Sequence, residues 1–279
     1  MKETKNTKVI AFCNNKGGTG KTTTAVNVAA AMAASGFSVL LIDADAQANA
    51  TSALMGYSFD PYGVGLFELL NAPGSSPQPT EVFDNLHLIP ADLQVIQITT
   101  IRARDPRRAE MFRPIIEQAA GKYDIIIIDA PPAMGLMTTA ALYASDFVVI
   151  PTTPNSLGLE AMAKTLNIIE EVKRIGGRCS LLGTVVTQYN GRRKIHKVTA
   201  TLIRQHKAAK AFTTMVRQSV VIEEATNAAK PVIFFSPKSN AADEFKRLTE
   251  EIKGKIEERT TPARQRQYCR RCLSASQSG

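Results

Sequence analysis

Short runs of unbroken apolar residues alternate along the chain with longer stretches whose apolar positions recur every three or four residues. Residues 8–13 form the first run, and the alanine-rich residues 22–34 follow as a helical stretch. Residues 38–43 and 123–129 repeat the pattern of a strand buried on both faces, and residues 147–150 and 181–187 add two more. Continuous apolar strands between helices indicate a parallel sheet covered on both sides. Right-handed crossovers then make the sheet doubly wound. The expected fold class is therefore α/β, a doubly wound, mostly parallel sheet with helices on both faces. A last helix over 241–258 carries Phe245, Leu248 and Ile252 at helical spacing. After it, residues 260–279 hold four arginines, no acid and little apolar content. This predicts one domain over 1–259 and a basic, disordered tail over 260–279. Residues 71–80, rich in Pro, Gly and Ser, predict a surface loop inside the domain.

Composition narrows the classes. With 279 residues, 44% of them hydrophobic and 21% charged, the chain can bury a large core, which excludes wholesale disorder. No run approaches the 18 apolar residues or more of a membrane-spanning helix, and the first residues lack the apolar centre of a secretion signal. Cysteines at 13, 179, 269 and 272 make no disulfide framework, and a cytoplasmic location is expected. Cys269 and Cys272 have the spacing of half a zinc site or a redox pair, with no second Cys/His pair to complete it.

The chemistry concentrates in the turn between the first strand and the first helix. Gly17, Gly18 and Gly20 let the backbone approach an anion, and the N–H groups of the turn and helix start can cradle phosphate oxygens. Lys21 is placed to reach the β- and γ-phosphates, and the Thr22 hydroxyl can ligate Mg²⁺. Gly17, Gly18, Thr19, Gly20, Lys21, Thr22 and Thr23 thus form the expected nucleotide cradle. The strict G-x-x-x-x-G-K-[ST] pattern is broken once, by Asn15 in place of the first glycine. Asp43, Asp45 and Asp129 end two further strands, at the edge of a parallel sheet where ligands sit. There one carboxylate can act on a magnesium-bound water and another on the attacking water, or Asp43 and Asp45 can cap the next helix.

The stretch Lys16-Gly17-Gly18-Thr19-Gly20-Lys21-Thr22-Thr23 resembles the deviant Walker A loop of the ParA/MinD family of P-loop ATPases, nearest to Soj-like ParA proteins. Residues 8–258 are spanned by the resemblance. It implies ATP and Mg²⁺ as cofactors and a homodimer closed by ATP. Lys16 takes the position of the family's signature lysine, which crosses to the nucleotide of the other subunit. Asp43 and Asp45 lie in a stretch similar to switch I, with Ala46 in place of the usual proline. The resemblance implies that Asp45 orients or activates the hydrolytic water and that Asp43 supports the magnesium shell. Asp129 matches the Walker B position, which holds Mg²⁺ with Thr22. Pro131, Pro132 and Gly135 resemble switch II. Gln188 and Arg217 fall where the family contacts adenine.

The net charge of +9 is unevenly distributed. Residues 188–222 contain no acid but carry Arg192, Arg193, Lys194, Lys197, Arg204, Lys207, Lys210 and Arg217. The remainder, tail aside, is slightly acidic. A clustered basic face suits contact with phosphate backbones without base readout, or an acidic protein partner. In ParA proteins such residues bind DNA non-specifically, which implies that role for Arg192, Arg193, Lys194, Lys197 and Arg217. The implied function is a partition or cargo-positioning ATPase, nucleoid-associated, whose hydrolysis a ParB-like or cargo-adaptor protein stimulates. Three rivals stand beside it: a DNA-binding scaffold with little turnover, an iron–sulfur reductase of the nitrogenase iron-protein type, whose paired cluster cysteines Cys13 and Cys179 do not match, and a MinD-like ATPase. The latter needs an amphipathic terminal helix, which the residues after Thr260 do not supply, so no membrane partner is expected. Only about seven residues precede the first strand, so no operator-binding domain is expected ahead of it.

Overall fold

A computed structural model of the chain describes residues 7–56, 65–72 and 78–260. Eight strands form one sheet in the order β3-β4-β2-β5-β1-β6-β7-β8. Its members are β1 (Lys8–Phe12), β2 (Val39–Asp43), β3 (Thr80–Phe83), β4 (Leu86–Ile89), β5 (Ile125–Asp129), β6 (Phe147–Thr152), β7 (Ser180–Tyr189) and β8 (Met215–Arg217). All neighbours run parallel except β3, which turns back antiparallel on β4. The long strands fall where the apolar runs predict them. β3, β4 and β8 are the additions: three or four residues each, short enough that no run marks them.

Alternation along each strand splits the core into two. Val9, Ala11, Leu40, Ile42, Ile126, Ile128, Val148 and Ile150 point to one face. There they meet α3 (Leu66–Asn71), α4 (Val95–Ile101), α5 (Arg113–Ala119), α6 (Leu136–Tyr143), α7 (Ser156–Arg174) and α8 (Lys194–Gln205). Ile10, Phe12, Val39, Leu41, Ile125, Ile127, Phe147 and Val149 point to the other. That face is closed by α1 (Lys21–Ala34), α2 (Asn49–Met55), α9 (Val220–Asn227), α10 (Val232–Phe235) and α11 (Asn240–Thr260). Burial on both faces is why the strands read as continuous apolar runs rather than as alternating ones. Helix α1 is sheathed in Ala25, Ala29, Ala30 and Ala33, all buried, which lets it lie close to the sheet.

α11 continues through Thr260, one residue beyond the expected domain end. The rest of the expected tail, with Cys269 and Cys272, lies outside the described residues, as do residues 73–77 of the expected loop. That loop is shorter than 71–80, because Asn71 closes α3 and Thr80 opens β3. None of the described helices is long and apolar enough to cross a membrane.

Candidate active site

The loop after β1 leaves the sheet between β5 and β6, at the carboxyl edge of the strands. Gly18 and Gly20 adopt φ of 69° and 76°, a region that L side chains enter with strain. A Cβ at Gly20 would also meet the Thr187 side chain at 3.4 Å, whereas one at Gly17 or Gly18 would project into open space. The bare backbone there is the side from which an anion can approach. Asn15 is not among the positive-φ residues, so its conformation demands no glycine, and its N–H donates to Thr165 Oγ1 of α7 at 3.1 Å. Thr187 Oγ1 donates to Thr19 O at 2.7 Å, and Gln188 Nε2 donates to Gly18 O at 2.8 Å. The loop is therefore clamped from β7 and from α7.

Gly20 caps α1 without any side-chain hydrogen bond, leaving the first N–H groups of the helix for a ligand. Lys21 is buried, and its Nζ donates to Lys16 O at 3.1 Å across the loop. Burial lowers the Lys21 pKa, while Asp129, the Cys13 thiol and Asp45 act in the opposite direction. Cys13 is enclosed and pushed up to about 12 by burial, which keeps it an inert thiol. The Lys16 side chain is half-buried and makes no ion pair or hydrogen bond among the described residues.

Asp43 and Asp129 end adjacent strands and are register partners. Their environments nevertheless differ. Asp43 Oδ2 accepts from Thr51 N at 2.9 Å and Thr51 Oγ1 at 2.8 Å, and Oδ1 accepts from Asp45 N at 3.2 Å. Asp129 has both oxygens buried with no hydrogen-bond partner. Burial raises the Asp129 pKa to about 8, the Asp43 charge adds to this, and the Thr22 hydroxyl and Lys21 oppose it. Asp43 is raised to about 6, again by burial, with the Thr51 hydrogen bonds opposing. Two buried carboxylate oxygens without a hydrogen bond of normal geometry, beside the Thr22 hydroxyl at a helix start, fit a hard cation such as Mg²⁺. Asp45 is only half-buried, and its Oδ1 accepts from Gln47 N at 3.0 Å. Both capping and site proximity thus hold for this pair: Asp43 caps within α2, and Asp45 caps the turn that precedes it.

A cleft of about 450 Å³ opens beside Asp45 and the glycine-rich loop, within the roughly 300–1,000 Å³ of small-ligand sites; Asp43 and Asp129 are not in its lining. Gly17, Gly18, Gly20, Lys21, Thr22, Thr23, Asp45, Pro132 and Gln188 line it. Thr19 does not, since it is buried and its hydroxyl donates to Lys16 O at 3.3 Å. A second cleft of about 550 Å³ on the other side of Gly20 and Thr23 brings Gln188 and Arg217 together. Lys230, Asn227 and Ser52 complete the first cleft, and Thr165 and Thr187 brace the loop. Sequence reasoning missed these five, because each acts from an element remote in the chain and carries no local motif. Among the expected DNA contacts, Arg192, Arg193, Lys194 and Lys197 stand exposed at the start of α8. Arg217 lies apart on β8, with its Nε 3.4 Å from the buried Glu244 and its N–H on the other oxygen of that residue.

Comparison with known proteins agrees with this geometry. The AAA domain family profile matches residues 7–178. The chain is 35% identical to the chromosome-partitioning ATPase Soj of Thermus thermophilus over 89% of this chain and 96% of that one. It is 31% identical to the chromosome partitioning protein ParA of Caulobacter vibrioides, over 92% and 97%. Apo McdA of Cyanothece superposes with a TM-score of 0.79 at 24% identity, covering 90% of this chain and all of that one. The septum site-determining protein MinD of Pyrococcus horikoshii, solved with Mg-ADP, gives 0.68 at 25% identity, covering 88% and 96%. A glycine-rich cradle at the switch point of a parallel sheet, an acid at the tip of the neighbouring strand, and these likenesses along most of the chain place it in the ParA/Soj family of P-loop ATPases.

Proposed function

We propose that the chain is a DNA-partitioning or cargo-positioning ATPase that dimerises on ATP, binds DNA non-specifically as a dimer, and is discharged by a partner protein. Its cofactors are ATP and Mg²⁺. The ion supplies charge neutralisation at the phosphates, and Thr22 and Asp129 would hold it. Asp43, whose oxygens accept from Thr51 and Asp45, would support the magnesium shell. Lys21 and the N–H groups of residues 17–23 bind and orient the phosphates, and Asp45 orients the attacking water. Gln188 and Arg217, which share the second cleft, would contact adenine.

Lys16 is the observation that carries the dimer. A lysine in the phosphate-cradle loop, whose side chain has no partner among the described residues, is placed to serve the phosphates of a second copy. Lys16→Ala should therefore still bind ATP but lose ATP-dependent dimer formation, with hydrolysis reduced about a hundredfold. Analytical ultracentrifugation with and without ATP measures this, and a variant that dimerises normally would remove the proposal. Asp45→Ala should hold the ATP dimer on DNA because turnover falls by about a hundredfold. Phosphate release at the wild-type rate would take Asp45 out of its role.

The DNA surface is the start of α8, where Arg192, Arg193, Lys194 and Lys197 stand without a single acid nearby in sequence. Arg192→Glu with Lys197→Glu should weaken retention on a DNA duplex at least about tenfold while sparing ATP-driven dimerisation, with a shallower salt dependence. Unchanged retention across salt would refute the surface. These positions suit the test better than Arg217, whose reversal would set a second acid against the buried Glu244. On this reading the protein works in the cytoplasm on the nucleoid, with a ParB-like or cargo-adaptor partner.

A further inference from the structure

Near the amino end of β7, away from the glycine-rich loop, five cations from two segments remote in the chain converge on one cleft of about 400 Å³. Arg204 comes from the last turn of α8, Lys207 and Lys210 from the turn after it, and Lys255 and Arg259 from the end of α11. Glu258 is the one acid among the lining residues, so the wall carries an excess of four positive charges. Leu182 at this cleft and Thr187 at the loop lie about 16 Å apart along β7. This cleft and the nucleotide cleft share no lining residue.

Neutral partners hold three of these cations. Lys255 Nζ donates to Lys210 O at 3.2 Å and to Leu182 O at 3.5 Å, and stands 4.0 Å from the centroid of the Phe212 ring. Arg259 donates to Ser180 Oγ at 3.0 Å and to Leu181 O at 2.8 Å, and Arg204 donates to Thr213 O at 3.0 Å. Gly183 makes room for this arrangement: a Cβ there would lie 2.7 Å from Lys210 O and 3.0 Å from Lys255 Nζ. Carbonyl and hydroxyl oxygens orient these groups without balancing their charge. Among the described residues no ion pair joins any of the five to a carboxylate, and the Lys207 and Lys210 side chains make no hydrogen bond. Burial lowers the pKa of Lys210 and of Lys255, and the Arg259 charge acts in the same direction on both.

The chemistry of the wall selects the ligand. Of the lining residues only Leu182 and Ala211 are apolar, one buried and the other half-buried, so a peptide side chain finds no exposed apolar surface to pack on. A single carboxylate would answer only one of the excess charges. Linked phosphates concentrate several charges and many acceptor oxygens in a small volume, which suits guanidinium forks beside ammonium donors. We propose that this cleft binds a compact polyphosphate anion, at a site separate from the nucleotide cradle. A recess of this size encloses a free anion, whereas a duplex presents its phosphates strung along a rod. The site is independent of the partition reading above.

The test titrates sodium pyrophosphate into the full chain by calorimetry in magnesium-free buffer. Lys21→Ala serves as the background, because it weakens the cradle that would otherwise take the same probe. That chain should still bind one equivalent of pyrophosphate. Adding Lys207→Gln with Lys210→Gln should weaken this binding at least about tenfold, whereas adding Lys207→Arg with Lys210→Arg should keep it. With Lys21 intact, the glutamine pair should leave the thermal midpoint and basal ATP hydrolysis unchanged. If the glutamine pair fails to fold, the exposed Lys207→Glu alone must weaken binding by a similar factor. No binding by the Lys21→Ala chain, or equal binding with the glutamine pair added, would overturn the proposal. Loss of duplex retention through the glutamine pair, with no pyrophosphate bound, would overturn it in favour of an extended DNA surface. Two equivalents bound by the Lys21→Ala chain, one of them lost with the glutamine pair, would instead refute the cradle assignment and leave this site standing.

Discussion

A Lys21→Ala chain is expected to bind ATP at least about a hundredfold more weakly than the wild type, and to show no ATP-dependent dimer. Lys21 is the one buried lysine among the described residues. It opens α1, reaches back across the glycine-rich turn to Lys16 O, and lies in the field of Asp129 and Asp45. A cation already taken out of water acts on phosphate oxygens with little solvent screening, which is why its loss should exceed that of any surface lysine. The change also removes a positive charge that acts on Asp129. Titration with a fluorescent ATP analogue measures the effect, with circular dichroism to check the fold. Undiminished binding would dismiss the cradle assignment.

Asp129→Asn should separate function from stability. Hydrolysis should fall about a thousandfold, since the neutral amide cannot hold the magnesium ion or balance Lys21. The metal-free fold, however, should become more stable at pH 8. In the folded chain the Asp129 carboxyl titrates near 8, against an ordinary value of 3.8. Between those values the folded state binds more protons than the unfolded one, so this group makes stability fall as pH rises from about 4 to about 8. Asparagine has no charge to desolvate. The gain should therefore be largest at and above pH 8 and vanish below about pH 4. Thermal midpoints of the two proteins from pH 4 to 9, in chelator, give the test. A variant less stable than wild type at pH 8 would contradict the assigned burial.

The legible parts of this protein are those encoded locally. The apolar runs at 8–13, 38–43 and 123–129 announce strands because a residue buried on both sheet faces must be apolar at every step. The turn at 14–23 announces a phosphate cradle because positive φ demands glycine at 18 and 20, and because lysine and threonine then follow at fixed offsets. The short strands β3, β4 and β8 escape, having too few residues to show a period. The braces Thr165 and Thr187 escape for another reason: a hydroxyl on a helix or strand carries no sign of which loop it will meet.

Asp43 and Asp129 show the division most clearly. Their identity and their positions at strand ends are written in the chain, and both read equally well as magnesium-shell residues. Which of them keeps its oxygens unpaired among the described residues depends on Thr51 folding back onto Asp43 and not onto Asp129, a matter of three-dimensional neighbours. The basic stretch behaves likewise. Local composition already separates the charge from the body of the domain. Packing assigns Arg217 to Glu244, leaves Lys194 and Lys197 without a side-chain partner among the described residues, and exposes Ile195, Val198 and Leu202 while His196 and Ile203 fill the buried side of α8. Sequence order carries the elements and the chemistry available to them. Their energetic state, meaning burial, neutralisation and exposure, arises only when segments remote in the chain come into contact.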